Sequence, residues 1–300
     1  MATGDSVGDC ELEHQHGKAR VRVARVWHEG SSHVMVEWSV SVSLRSKTLA
    51  AYTEGDNSAI VATDTIKNTV YVLAKRCSET TSMEEFGTQL AELFLNTYSQ
   101  VTGVRVNLTQ RPWERVSLDN TPHEHGFKLG SENRTAQVLA TKDGNHKVTA
   151  GISDLSLLKT TKSGFEGFVR DKNTLLPETR ERMMASSIRS VWSYSKTPLD
   201  YNETHAKVKN ILLSTFFGPS RGGVYSPSVQ NTLYLMAKEV LLRVPEIESV
   251  YLNMPNIHFL PVNMPSIGIQ FKDDVYLPTD EPHGSIEATL QRKNLPTSKL

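Results

Sequence analysis

Between His33 and Leu44 the sequence HVMVEWSVSVSL sets an apolar side chain at every second position: Val34, Val36, Trp38, Val40, Val42 and Leu44. That period of two, with mostly polar residues between, predicts a half-buried strand. The preceding VRVARVW reads as its partner and HEGSS as the turn, so residues 20–44 are expected to form a long hairpin. Two helical periodicities follow. The first runs from Asp64 to about Cys77; the second opens on the capping box Ser82-x-x-Glu85 and brings Phe86, Leu90, Leu93 and Phe94 onto one face. Alternation then returns in GVRVNLTQ, and another short extended stretch lies near Phe127.

The second half repeats this order. TAQVLAT and HKVTAGISDL flank Asp143-Gly144, a hairpin-turn signal. Helical patterns cover about 203–217, carrying Val208, Ile211 and Leu212, and 228–243, carrying Val229, Leu233, Met236 and Val240, with Pro245 stopping the latter. SVYLNM, DVYL and SIEATL close the half as strands. The order strand, strand, helix, helix, strand, strand thus occurs twice, and an α+β fold of antiparallel sheets with helices on one face accommodates both halves. Joining copies into a barrel would remove the open sheet edges, so an oligomer is expected.

Composition narrows the partners. Lys plus Arg equals Asp plus Glu at 33 each, which gives no basic field for nucleic acid. No apolar run approaches the about 20 residues of a membrane span, and residues 1–17 hold no secretory core, so a soluble protein with a small ligand and no membrane partner is expected. Cys10 and Cys77 form neither a disulfide framework nor a Cys-based zinc site, which fits a reducing folding compartment. The last residues, Ser298, Lys299 and Leu300, spell the C-terminal peroxisomal address.

Local chemistry is sparse. The pairs His14-x-His16 and His123-x-His125 each set two imidazoles on one side of an extended segment, without an obvious third ligand nearby. No P-loop, dinucleotide glycine fingerprint, G-x-S-x-G elbow or H-E-x-x-H helix occurs. In AIVATDTIKNTVYV, Thr63 and Asp64 stand where an apolar run meets a helix, the position of N-cap residues whose oxygens take the first free N–H groups.

The stretches DNSAIVATDTIKNTVY, GFEGFVRDKNTLL, SVQNTLYLMA, MPNIHF and the terminal SKL together resemble the urate oxidase (uricase) family over nearly the whole chain. The resemblance implies two tandem tunnelling-fold domains, 18–131 and 132–295, between a polar tail, 1–17, and a targeting tail, 296–300. It implies a homotetramer around a tunnel, with sites at subunit interfaces, and an import receptor that reads the terminal SKL. The implied activity is cofactor-free oxidation of urate by dioxygen and water, giving 5-hydroxyisourate and hydrogen peroxide.

Carried onto matching positions, the implied site takes Lys18, Thr63 and Asp64 from one subunit and Phe165, Arg182, Val229, Gln230, Asn256 and His258 from its neighbour. Arg182 would grip the anion, Gln230 would offer a donor and an acceptor, and Phe165 would stack on the ring. Lys18, Thr63 and His258 would form a proton relay, with Asn256 holding dioxygen and later water. Thr63 and Asp64 could both begin the helix and face the ligand with its free N–H groups. Glu166 departs from the family pattern, where a large aromatic can stand. Two rivals stay open: a zinc-dependent tunnelling-fold enzyme for a pterin or guanine nucleotide, needing His123, His125 and a third ligand, and a non-catalytic urate-binding protein.

Overall fold

The computed structural model describes residues 11–293, so Cys10 and the address Ser298-Lys299-Leu300 lie outside the described residues. In chain order the elements are β1 (His16–Glu29), β2 (Ser32–Ser46), α1 (Ala50–Thr53), α2 (Thr63–Arg76), α3 (Met83–Thr97), β3 (Val101–Arg111), β4 (Trp113–Leu118), β5 (Thr121–Leu129), β6 (Asn133–Thr141) and β7 (His146–Lys159). There follow β8 (Met184–Tyr194), α4 (Tyr201–Phe217), α5 (Val229–Arg243), β9 (Ile247–Asn253), β10 (Asn256–Pro261), a short 3-10 turn (Met264–Ile267), β11 (Tyr276–Gly284) and β12 (Glu287–Gln291). No helix among the described residues is long and apolar enough to cross a membrane.

The chain forms two compact units: one takes the residues up to Thr109 with Ala136–Val148, the other Gln110–Thr135 with everything from Thr149 onward. In the first unit the strands run in the order β1-β2-β3-β6, and in the second β7-β8-β9-β12. The alternation in β2 places Trp38, Val40, Val42 and Leu44 in the first core, each at most 1% exposed. They share it with Ile66 and Val70 of α2, Phe86, Leu90 and Phe94 of α3, and Val104, Val106 and Leu108 of β3, and the Trp38 and Phe86 rings lie 4.8 Å apart. Burying each such side chain contributes roughly 1.5–3 kcal/mol, which is why the period of two predicts the face that turns inward. The second core gathers Ile152 and Leu157 of β7, Ile188 and Trp192 of β8, Val208 and Phe216 of α4, Met236 and Val240 of α5, and Val250 of β9.

Two expectations change. The fourth strand of the first sheet is β6, the TAQVLAT stretch, and not the segment near Phe127, which pairs with β4 in a separate two-stranded ribbon. The second half carries the same kind of interruption, because β10 and β11 intervene between β9 and β12. The strand β8 has no counterpart in the sequence reading. Its inward positions include Ser186 and Ser190, both buried, and two hydroxyls in an otherwise apolar row erase the alternation that would reveal it.

Candidate active site

Three of the four long helices begin with a side-chain cap. Ser82 and Glu85 form the full capping box at α3, Asp200 accepts from the Asn202 and Glu203 amides at α4, and Ser228 accepts from the Asn231 amide at α5. The exception is α2. Its N-cap position is Ala62, which offers no side-chain acceptor, and Thr63 and Asp64 are the first two helical residues. The cap expected of Thr63 or Asp64 is therefore absent: the Asp64 carboxylate turns along the helix to Lys67 at 2.5 Å and Asn68 at 2.9 Å. A helix start without a cap leaves N–H groups and the positive end of the dipole free for a ligand. Both Thr63 and Asp64 are exposed.

Lys18 is held near this helix start by its own strand. His16 Nε2 lies 3.0 Å from the carbonyl oxygen of Val61, fixing the chain two residues before Lys18 to the chain two residues before Thr63. After Lys18 the β1–β2 register slips by a bulge, in which Arg20 takes a φ of 57° and donates its N–H to Ser41 Oγ at 2.9 Å. Bulges re-aim side chains, and a non-glycine residue at positive φ marks a segment fixed by its surroundings. Gly17 is required here, because a Cβ would collide with the Val42 carbonyl oxygen. The Asp64 carboxyl is held below the usual carboxylate range, first by Lys67 and to a lesser extent by the charge of Lys18.

The second unit gathers four expected site residues on one cleft. Phe165, Arg182, Asn256 and His258 line a 280 Å³ cavity closed on other sides by Leu176, Pro177 and Tyr276. Phe165 is fixed by backbone bonds to Thr179, and Arg182 by its N–H to the Ser163 carbonyl at 2.8 Å. The Arg182 guanidinium carbon stands 5.4 Å from the centre of the Phe165 ring. Arg182 Nε is buried without a partner, and burial lowers the guanidinium pKa from its usual value. A desolvated cation with an unused donor beside an aromatic face suits a flat anion. Gly164 allows Phe165 this position, since a Cβ would meet the Tyr225 hydroxyl and lie 2.9 Å from the Thr179 carbonyl oxygen.

Asn256 and His258 alternate along β10, whose register with β11 slips between them, and Asn256 Nδ2 is 3.4 Å from His258 Nδ1. Val229 and Gln230 are the first two residues of α5, where Ser228 caps the Asn231 amide. Val229 is buried and Gln230 exposed, and Gln230 lines a second, smaller groove against Ala288 and Leu290. Glu166 pairs with Arg180 at 2.9 Å. His123 and His125 stand on β5 with ring centres 4.7 Å apart, and among the described residues no group of three His, Cys, Asp or Glu able to hold a metal includes them. His14 stacks against Tyr52, with ring centres 4.6 Å apart.

Sequence reasoning missed the network behind these residues. Lys159 Nζ donates to Ser226 Oγ at 2.6 Å and to the Val224 carbonyl at 3.0 Å, and Ser226 Oγ lies 2.8 Å from Thr232 Oγ1. In LSLLKTTKSG nothing distinguishes Lys159 from an edge charge.

The expected site residues thus divide between the units, with Lys18, Thr63 and Asp64 in the first and the other six in the second. A sequence profile described as Uricase matches residues 14–139 and 148–287. The chain is 56% identical over 304 residues to a protein of Arabidopsis thaliana named Uricase, covering 96% of this chain and 97% of the relative. It is 53% identical to Uricase-2 isozyme 1 of Glycine max, covering 97% and 98% respectively. Among solved structures, the uricase of Arthrobacter globiformis superposes with a TM-score of 0.88 at 35% identity, over 95% of this chain and 96% of that one. Matched over nearly its whole length by sequence and by fold, the chain belongs to the uricase family.

Proposed function

We propose that this protein is a urate oxidase that converts urate, dioxygen and water into 5-hydroxyisourate and hydrogen peroxide. The observation that carries the reading is the cleft of the second unit, where Arg182, with a buried and unpartnered Nε, lies over Phe165 beside Asn256 and His258. Urate is a planar anion edged with carbonyls and N–H groups. Arg182 pairs with its acceptor edge, Phe165 stacks on its face, and the Gln230 amide supplies a donor and an acceptor. The free N–H groups at the start of α2 add donors from Thr63 and Asp64, and Val229 and Gln230 do the same at the start of α5.

The reaction removes two electrons from urate and delivers them to dioxygen, which leaves as peroxide; water supplies the new hydroxyl group. No cofactor is required in this scheme, because the urate dianion is itself electron-rich enough to reduce dioxygen. The protein's task is to draw off a proton and hold the partners. Lys18, Thr63 and His258 carry that proton, the hydroxyl of Thr63 joining amine to imidazole, while Asn256 holds dioxygen and then the attacking water above the ring. The relay and the ligand set draw on both units, in keeping with a homotetramer in which the first unit of one protomer completes the second-unit site of its neighbour. The terminal Ser298-Lys299-Leu300 supports peroxisomal import through a receptor, into a compartment suited to a peroxide-producing enzyme.

The test is dioxygen uptake and peroxide release from purified protein supplied with urate, run with and without exhaustive chelation. Turnover that survives chelation is the expected result. Turnover abolished by chelation and restored by zinc would overturn the cofactor-free scheme, and binding without turnover would reduce the protein to a urate-binding one.

A further inference from the structure

Lys159 ends β7 half-buried, over the ring of Phe216 at 5.5 Å, and no carboxylate partners it among the described residues. Removing an ammonium from water costs several kcal/mol unless other groups replace its hydration, so an unpaired lysine in such a place needs a reason. Its bonds run toward the site. The Thr232 hydroxyl donates to Ser226 Oγ at 2.8 Å and shares its proton with the Ser228 carbonyl oxygen at 3.0 Å. Ser226 Oγ thus accepts from both Thr232 Oγ1 and the Lys159 ammonium. The resulting chain runs from the Lys159 ammonium through Ser226 and Thr232 to the carbonyl of the residue capping α5, the helix that opens on Val229 and Gln230.

A second branch passes through the Ser226 backbone. Its N–H donates to Lys162, and its carbonyl accepts from Gly164, both at 2.9 Å, which fixes the segment carrying Phe165 and the Ser163 carbonyl that holds Arg182. One side chain therefore braces both the stacking residue and the helix start. Arg182 also makes no direct ion pair among the described residues, although Glu181 and Asp273 line the same cleft.

We propose that Lys159 is a positioning residue for the substrate anion: its charge, anchored on the Ser226 hydroxyl that Thr232 also bonds, sets the start of α5 and the Phe165 segment for binding a negatively charged purine. The inference rests on the urate reading of the cleft. Bonds to a charged group of this kind are worth enough that their loss reads as about a tenfold change.

The experiment compares the wild type with Lys159→Met, Lys159→Arg and Ser226→Ala in urate turnover and in the binding of xanthine, below and above the pH at which free xanthine ionises. For Lys159→Met the expected result is a KM for urate raised about tenfold with kcat within about threefold. Affinity for the xanthine anion should fall in parallel, affinity for neutral xanthine should stay unchanged, and Lys159→Arg should restore most of the anion binding. Equal losses for the two charge states of xanthine, or an unchanged KM in a folded Lys159→Met protein, would overturn the proposal. If Lys159→Met fails to fold, Ser226→Ala decides by the same ratio, since it keeps the ammonium and cuts the chain. Wild-type protein that neither binds nor oxidises urate would instead defeat the reading of the cleft.

Discussion

Ala62 occupies the N-cap of the helix that Thr63 begins, and it is the only one of the four long-helix caps without a side-chain acceptor. A serine, aspartate or asparagine at a cap is worth about 1 kcal/mol over alanine. That stabilisation is forgone at one of the two helix starts whose N–H groups the proposed site uses; at the other, Ser228 caps only the third amide. Ala62→Asp should therefore raise the melting temperature by a few degrees, about what 1 kcal/mol gives, while raising the KM for urate several-fold, because its carboxylate takes the second helical amide, that of Asp64, as Asp200 takes that of Asn202. Thermal unfolding and steady-state kinetics on the same sample check both halves. A more stable variant with an unchanged KM would remove the α2 start from the site.

The 3.4 Å contact between Asn256 Nδ2 and His258 Nδ1 fixes a tautomer if the amide donates: Nδ1 accepts, and the ring proton sits on Nε2. In the proposed relay, His258 would pass a proton while Asn256 would hold the oxygen species, so the two should fail differently. Thr63→Ala, Lys18→Met and His258→Ala should lower kcat by about a hundredfold or more, within the usual reach of general acid–base catalysis, with urate binding nearly intact. Asn256→Ala should instead raise the KM for dioxygen. Stopped-flow binding of urate without dioxygen, followed by mixing with dioxygen, separates the two. Undiminished turnover in Thr63→Ala would break the relay.

Most of the architecture was legible because it rests on local rules. The period of two in β2, the capping box at Ser82 and the Asp143-Gly144 turn, where the Gly144 N–H returns to the Thr141 carbonyl, each report a backbone state that neighbours in sequence decide. Pairing partners are not local: nothing in TAQVLAT says that it pairs beside β3, and nothing near Phe127 says that its partner is β4. Ser186 and Ser190 hid β8 because hydroxyls on the inward face read as solvent positions until the sheet is assembled.

The candidate site was proposed only through resemblance. Arg182 lies in ETRERMM, where charge reads as a solvated face, and its distinction arises from tertiary structure that buries Nε over Phe165. Thr63 and Asp64 were placed at the correct junction, but as caps. The sequence shows that a polar residue stands at a helix start, while the cap itself depends on which residue is last before the first helical φ and ψ, here Ala62.

Arg182→Gln keeps a planar amide beside Phe165 but removes the charge and the paired donors. The KM for urate should rise by about a hundredfold, the scale of losing charge-assisted hydrogen bonds in a desolvated place, and added salt should weaken wild-type binding more than that of the variant. Calorimetric titration of a non-reacting anionic purine at two ionic strengths reads both effects. An unaltered dissociation constant would take Arg182 out of the site.

His205 gives the molecule an acid limit. On α4 its ring packs on Trp192 with centres 5.7 Å apart, and Nε2 is buried without a partner. Burial first, then the charges of Arg134 and Lys209, push its pKa down from 6.5 to about 3, and a backbone bond to Gly151 opposes them only in part. The sign follows from proton counting. As the pH falls through 6.5 the unfolded chain takes up a proton that the folded chain refuses until about 3. The unfolded state thus binds more protons over that window, and stability declines with acid by up to about 1.4 kcal/mol per pH unit. His205→Gln removes the titrating group, so the fall in urea midpoint between about pH 6.5 and 4.5 should be shallower in the variant than in the wild type. Carboxylates such as Glu132, held low by Lys209, add their own acid dependence to both proteins and cancel in the comparison. Equal slopes would mean that His205 charges as readily in the folded protein as in the unfolded chain, and the ring would then have to lie open to water beside Trp192.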